Sequence, residues 1–125
     1  HAGDSRAYLI SRSGVRQLTM DHSMVQEMLN RGDITKEEAA NHPHKNIITR
    51  VLGVQEMVDT DYTELPFEEG EILLACSDGL SNYIHAEQMF QYANTCRGQE
   101  LADTLVKAAL EKGGRDNITV TLIEN

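Results

Sequence analysis

Apolar and polar residues alternate along several short segments of this chain, and a period of two is typical of half-buried β-strands. The alternation predicts a hairpin, then an exposed strand, and a last strand near the end of the sequence, at residues 6–10, 15–18, 58–65 and 118–124. Ile72–Cys76 differs, because its residues are all apolar. A continuous apolar run predicts a central strand that is covered on both faces.

Two capping-box patterns predict a pair of short helices in the first half of the chain. Ser23 and Thr35 begin these patterns, in which a side-chain oxygen accepts a hydrogen bond from the backbone N–H three residues later. We expect Gly32 to end the first helix, and we expect the second to end before Pro43. Because both helices are polar, residues from about 18 to 51 are interpreted as a surface subdomain.

Two longer helices are predicted in the second half, at residues 86–93 and 99–112. The second carries Leu101 and Leu105 on one face, a spacing that indicates core packing. Strands joined by hairpins, with helices grouped late, predict an α+β fold in which antiparallel sheets pack beneath helices. The length of 125 residues suits one domain or part of one.

Charge and composition narrow the functional classes. Hydrophobic residues make up 40% of the chain and charged residues 25%, as in soluble globular proteins. The net charge of -9 opposes binding to nucleic acids and to anionic membranes. No apolar stretch approaches the roughly 18 residues of a membrane span. Cys76 and Cys96 stand singly, so we expect reduced thiols in a cytoplasmic protein.

Three aspartates carry the candidate chemistry. Asp4, Asp78 and Asp116 each lie beside a glycine or an asparagine, where a predicted strand begins or ends. Carboxylates at strand ends are held rigidly and still reach solvent, so several of them can converge on a hard cation such as Mg²⁺ or Mn²⁺. Taken singly, each aspartate also suits turn or cap chemistry, and the local pattern leaves both interpretations open.

The histidines offer weaker alternatives. His42 and His44 flank Pro43 and suggest zinc ligands, but no cysteine pair or helical spacing nearby completes such a site. His22 is a candidate general acid. Its position after Asp21, at the start of a predicted helix, favours a capping role instead.

Five motifs in order resemble a known family: Gly3-Asp4-Ser5-Arg6-Ala7-Tyr8, Leu18-Thr19-x-Asp21-His22-Ser23, His42-Pro43 followed by Ile48-Thr49-Arg50-x-Leu52-Gly53, Cys76-Ser77-Asp78-Gly79-Leu80, and Gly114-Arg115-Asp116-Asn117-Ile118-Thr119-Val120. Together they resemble the carboxy-terminal half of a bacterial metal-dependent protein serine/threonine phosphatase of the 2C type. The resemblance covers essentially all 125 residues. The chain also begins as the tail of a strand would, so we expect it to be a fragment of one phosphatase domain.

The resemblance implies a four-layer α-β-β-α sandwich with antiparallel sheets, of which the amino-terminal portion is missing. By similarity, Asp78 and Asp116 are ligands of a catalytic metal pair. Asp4, together with Asp78, is similar to the residues that hold an additional ion, so the complete domain is expected to bind two or three Mn²⁺ or Mg²⁺ ions. Residues from about 18 to 51 correspond to the flap beside the active site.

The resemblance also implies a reaction, in which a metal-activated water attacks the phosphorus of phosphoserine or phosphothreonine in proteins. The substrates are then expected to be phosphoproteins, products of a serine/threonine kinase. The family's Asp-Gly-x-Gly-Gly motif and phosphate-binding arginine have no match here, so we expect this chain alone to be inactive. Because strands would also be missing from both sheets, edges and apolar faces would be uncovered, and we expect the chain to self-associate. The alternative is a non-catalytic, phosphatase-like interaction domain. The three aspartates favour the enzyme, since an interaction domain does not need converging carboxylates.

Overall fold

Four strands and five helices make up the chain in a computed structural model that describes residues 1–125. In chain order they are β1 (Arg6–Ser11), β2 (Gly14–Gln17), α1 (Met24–Arg31), α2 (Lys36–Ala40), β3 (Ile72–Cys76), α3 (Asp78–Ser81), α4 (Ala86–Ala93), α5 (Gly98–Glu111) and β4 (Val120–Glu124). They divide between two compact units. Unit 1 comprises residues 1–4 and 20–62, and unit 2 comprises residues 5–19 and 63–125.

All four strands lie in unit 2 and form one antiparallel sheet, in the order β2-β1-β3-β4. The register places Tyr8 opposite Leu74 and Ile10 opposite Ile72. Side chains of directly paired residues share a face of the sheet, so these four residues form an apolar patch on one face, with the pair Arg6 and Cys76 at its end. The expectation that Ile72–Cys76 forms a central strand is confirmed, since β3 lies between β1 and β4. The expected cover on both faces is not observed, because Ala75 is exposed and Leu73 is half-buried.

The two faces of the sheet differ in how they are covered. One face packs against the helices of unit 2, and its core includes Leu80, Ile84, Met89, Leu101 and Leu105, all fully buried. The other face carries the row Leu9, Leu73 and Ile123, whose members are paired in register. Ile123 is 52% exposed. An apolar row on this second face is the arrangement expected of a sheet with a further layer over it.

Unit 1 is built on α1 and α2, and both predicted caps are present. The Ser23 hydroxyl accepts a hydrogen bond from the Gln26 N–H at 3.3 Å. Gly32 ends α1 in the left-handed conformation with φ 78°, which glycine adopts without steric cost. Thr35 and Glu38 form a complete capping box at α2. The sequence patterns therefore predict both helices correctly.

The elements differ from the expectations at two places, one where a predicted strand is missing and one where a helix was not predicted. Residues 58–65 do not form a strand, because their alternating pattern finds no partner in the sheet. The short helix α3 is absent from the predictions, since it has a single turn and contains Gly79, a weak helix former. The predicted α+β class is nevertheless correct. None of the five helices has the length and hydrophobicity that crossing a bilayer requires.

Candidate metal centre

Asp78 lies where the central strand of unit 2 ends. β3 finishes at Cys76, Ser77 takes an extended conformation as the N-cap, and Asp78 is the first residue of α3. Its side chain is half-buried. A carboxylate in the first turn of a helix is favoured by the helix dipole, and the adjoining core strand limits its movement.

Asp116 lies in the connection between α5 and β4, where it is exposed. One carboxylate oxygen, Oδ1, accepts a hydrogen bond from the Asn117 N–H at 2.7 Å. The turn before it is fixed by a hydrogen bond of 3.0 Å from the Gly114 N–H to the Ala109 carbonyl at the end of α5. The local turn chemistry anticipated for this aspartate is therefore present, and it orients the carboxylate.

Three hydrogen bonds join the segments that carry Asp78 and Asp116. The Ser77 N–H donates to the Thr119 carbonyl at 3.1 Å, and the Thr119 N–H donates to the Ser77 hydroxyl at 3.0 Å. The same hydroxyl donates to the Asn117 carbonyl at 3.3 Å. The residue before Asp78 is thus bonded to the residue after Asp116, although 40 positions separate Ser77 from Asn117 in the sequence.

Gly79 brings the two segments closer than any other residue type would permit. A Cβ built on Gly79 lies 2.3 Å from the Asn117 carbonyl oxygen and 3.3 Å from Cγ1 of Ile118. Because real Cβ atoms essentially never approach another atom within 3.0 Å, the contact requires glycine. Sequence reasoning missed this role, and the only signal for it was the Asp78-Gly79 dipeptide.

The donor chemistry of this region fits a hard divalent cation. Asp78 and Asp116 supply carboxylate oxygens, the ligand type that Mg²⁺ and Mn²⁺ prefer. The segments that carry them are held together by the Ser77 hydrogen bonds and the glycine contact. That both carboxylates bind one ion or two bridged ions stays a prediction.

Asp4 belongs to unit 1, where it is half-buried after a buried glycine. Gly3 has φ +117°, a conformation that L-residues with a side chain rarely adopt. The backbone N–H of His22 donates to the Gly3 carbonyl at 2.8 Å. The conformation of Gly3 therefore favours glycine at the position before Asp4, and the hydrogen bond from His22 holds that position in place.

The capping role expected for His22 is wrong, because Ser23 caps α1. The buried His22 ring instead accepts a hydrogen bond at Nδ1 from the Gly3 N–H, at 3.1 Å. Its Nε2 lies 2.8 Å from Oδ2 of Asp61 and 3.1 Å from Nη1 of Arg50. The hydrogen bond with His22 holds the pKa of Asp61 below its ordinary value, and the Arg50 charge acts in the same direction.

The pair His42 and His44 gains no support as a zinc site. The His42 Nδ1 accepts a hydrogen bond from the His44 N–H at 3.1 Å, so this nitrogen is already used. A different set, His1, His22 and Asp61, places three potential ligand atoms within 4.8 Å of one another. Neither Asp61 nor its contact with His22 is apparent from sequence spacing, since 39 positions separate the two residues.

Several known proteins are similar to this chain in sequence. No protein-family model matches the chain. The serine/threonine phosphatase Stp of Listeria monocytogenes is 46% identical over 125 residues, which cover 99% of this chain. The same alignment covers 50% of the Listeria protein. The chain therefore spans about half the length of the curated relatives it matches.

Solved structures agree with the sequence relatives. The S. agalactiae serine/threonine phosphatase matches with a TM-score of 0.94 and 38% identity, over 99% of this chain and 52% of that one. The catalytic domain of the phosphatase PstP, in complex with 2 manganese ions, matches with a TM-score of 0.80 and 34% identity, over 98% and 50% of the respective chains. The predicted resemblance to half of a bacterial serine/threonine phosphatase domain is confirmed, and so is its fold.

Proposed function

We propose that this chain supplies metal-binding residues to a protein serine/threonine phosphatase that hydrolyses phosphoserine and phosphothreonine in phosphoproteins. One structural observation carries the proposal: the Ser77 hydrogen bonds and the Gly79 contact hold the segments of Asp78 and Asp116 together. The similarity to phosphatases along 99% of the chain supports the same assignment. Structural turns alone would not need two carboxylates on joined segments.

In this proposal Asp78 and Asp116 hold a pair of divalent ions, and Asp4 holds an additional one. Mn²⁺ is the first choice, because the similar PstP domain was solved with it, and Mg²⁺ has the same preference for oxygen ligands. When bound, such ions lower the pKa of water and offset charge on the phosphoryl group. The contribution of the chain is to fix the carboxylates, through Ser77 and Gly79, before any ion arrives.

The proposal extends to the cellular setting. The substrates are proteins phosphorylated by a serine/threonine kinase, and the enzyme acts in the cytoplasm. The net charge of -9 fits this setting, because it disfavours nucleic acid and anionic membrane surfaces as partners. The segment from about 18 to 51 acts as the flap beside the substrate.

The test is an Asp78→Asn substitution in the full-length product of the gene. We expect hydrolysis of a phosphopeptide at saturating Mn²⁺ to fall by orders of magnitude, because a ligand is lost. The melting temperature should change little or rise, because the proposal places the Asp78 and Asp116 carboxylates close together and the substitution removes one of these two like charges. Asp103→Asn is the matched control, since Asp103 is an exposed carboxylate on α5 in the same unit, and it should keep full activity.

Two outcomes would contradict the proposal. Full turnover by the Asp78→Asn variant would show that this carboxylate is not a ligand. If the unmodified full-length protein releases no phosphate from phosphopeptides at any Mn²⁺ concentration, the non-catalytic interaction domain is the better interpretation.

We further propose that the 125-residue chain by itself is inactive. Its sequence has no Asp-Gly-x-Gly-Gly motif, so the ligand set that the resemblance implies is incomplete. The apolar row that ends at Ile123, 52% exposed, favours association with a second copy. Phosphopeptide assays and size-exclusion chromatography of the purified chain test both points, and turnover by a monomer would overturn them.

A further inference from the structure

The Gly3 peptide is held from both sides by a single residue, His22. The His22 backbone N–H donates to the Gly3 carbonyl at 2.8 Å, and the Gly3 N–H donates to Nδ1 of the imidazole ring at 3.1 Å. The ring is buried, with 7% of the residue exposed. Buried side-chain hydrogen bonds of this kind restrict the groups on both ends. The backbone immediately before Asp4 therefore has little freedom to rotate.

The second nitrogen of the ring explains why the residue is a histidine. Because Nδ1 accepts from Gly3, the neutral ring carries its proton on Nε2. That N–H donates to Oδ2 of Asp61 at 2.8 Å, and Arg50 donates from Nη1 to Oδ1 of the same carboxylate at 3.3 Å. An acceptor and a donor on opposite sides of one rigid ring are what the two partners require. Asp61 thus sets the tautomer and orientation of His22, as carboxylates do for metal-binding histidines.

A metal site is the alternative interpretation of His22 and Asp61, because together with His1 they offer ligand atoms within 4.8 Å of one another. Two observations oppose that interpretation. Coordination through Nε2 would need the proton moved to Nδ1, and the hydrogen bond from Gly3 would then be lost. The Arg50 guanidinium already lies 3.1 Å from Nε2, where a cation would be repelled.

We propose that His22 is a positioning residue for Asp4. By clamping the Gly3 peptide in its φ +117° conformation, the ring presents the next residue in one orientation and so raises the affinity for the ion that Asp4 holds. The proposal rests on the proposed function, because the orientation of Asp4 matters to that reaction only if it is a ligand. Residues that orient metal ligands typically contribute about 10- to 100-fold in affinity.

Two amide substitutions test the two ring nitrogens of His22 one at a time. His22→Asn places its carbonyl oxygen near the position of Nδ1, so it keeps an acceptor for Gly3 and loses the donor to Asp61. His22→Gln places its amide nitrogen near Nε2, so it keeps the donor to Asp61 and loses the bond from Gly3. Both variants are made in the full-length product of the gene. His44→Asn, at an exposed histidine of the same unit, is the control.

Mn²⁺ binding by titration calorimetry and amide hydrogen exchange at Gly3 and Asp4 are measured on all four proteins. We expect His22→Gln to exchange faster at Gly3 and to bind the Asp4-dependent Mn²⁺ about tenfold or more weakly. His22→Asn and His44→Asn should stay near the unmodified protein in both measurements. If His22 contributed to stability alone, both His22 variants would instead bind Mn²⁺ more weakly, each in proportion to the fall in its melting temperature.

Three results would overturn the assignment. The first is a His22→Gln variant with unchanged Gly3 exchange and unchanged Mn²⁺ affinity. The second is tight Zn²⁺ binding that is lost in both His22 variants, which would favour the metal-site interpretation. The third is an absence of Mn²⁺ binding by the unmodified protein. This result would contradict both the proposed function and the role of Asp4 as a ligand, even if amide exchange at Gly3 were still faster in His22→Gln.

Discussion

Replacing Gly79 by alanine tests whether the contact between α3 and the Asn117 backbone sets the spacing of the candidate ligands. The added Cβ would lie 2.3 Å from the Asn117 carbonyl oxygen, whereas real Cβ contacts stay beyond 3.0 Å. The two backbone segments must therefore separate by about 0.7 Å at least. Gly79 is helical, so alanine also gains up to about 1 kcal/mol in helix propensity.

The steric cost of the added Cβ is larger than the gain in helix propensity. Overpacking of a closely packed site typically lowers the free energy of unfolding by about 1–3 kcal/mol, which outweighs the propensity gain. A misplacement approaching 1 Å at a reacting centre costs up to about a hundredfold in rate. We therefore expect the Gly79→Ala variant of the full-length protein to be modestly less stable. Its turnover of a phosphopeptide should fall by about ten- to a hundredfold, with weaker Mn²⁺ binding.

The assay combines denaturant unfolding, Mn²⁺ titration calorimetry and phosphopeptide hydrolysis well below the melting temperature. Met89→Ala is the matched control, because Met89 on α4 is fully buried in the core of the same unit. Its truncation should cost about 2–5 kcal/mol of stability and leave Mn²⁺ binding unchanged. Wild-type Mn²⁺ affinity and turnover in a folded Gly79→Ala variant would refute the reasoning.

Three further predictions concern unit 1. Asp61→Asn should lower the melting temperature at pH 7, because His22 loses a charged acceptor. The pKa of Asp61 is lowered in the folded protein, so the stabilisation from its charge is present above the ordinary aspartate pKa of about 3.9. This stabilisation is lost as the pH falls below that value and through the folded pKa. The melting curves of variant and wild type should therefore converge only below about pH 4. Thr35→Ala removes the capping box of α2 and should cost about 1 kcal/mol locally, seen as faster amide exchange in that helix and not in α1. Amides of residues 18–51 should exchange faster than those of β3, and slower exchange there would contradict a mobile flap.

The sequence predicted those elements whose signals are local. The apolar run Ile72–Cys76 and the caps at Ser23 and Thr35 involve neighbouring residues only, and the structure has each of them. The strand expected at 58–65 failed because alternation describes a face and not a partner strand. Asp61, within that segment, forms a hydrogen bond with His22 instead.

The candidate site shows the same division. The aspartates stand out because their flanking glycines and asparagines are adjacent in sequence. The features that hold them are long-range: Ser77 bonds to Thr119 across 42 positions, and Gly79 contacts Asn117. Such contacts depend on how β3 and β4 pair in the sheet, which no local pattern specifies.

The reactivity of Cys76 can be used to measure how often the strand beside the candidate site opens. Its thiol ends β3, is 5% exposed, and lies two positions before Asp78. Thiol reagents react with the accessible thiolate only, so alkylation at Cys76 must await an opening of the central strand. The rate of modification, followed by mass spectrometry, therefore reports how often the strand that carries Asp78 opens, without any engineered label.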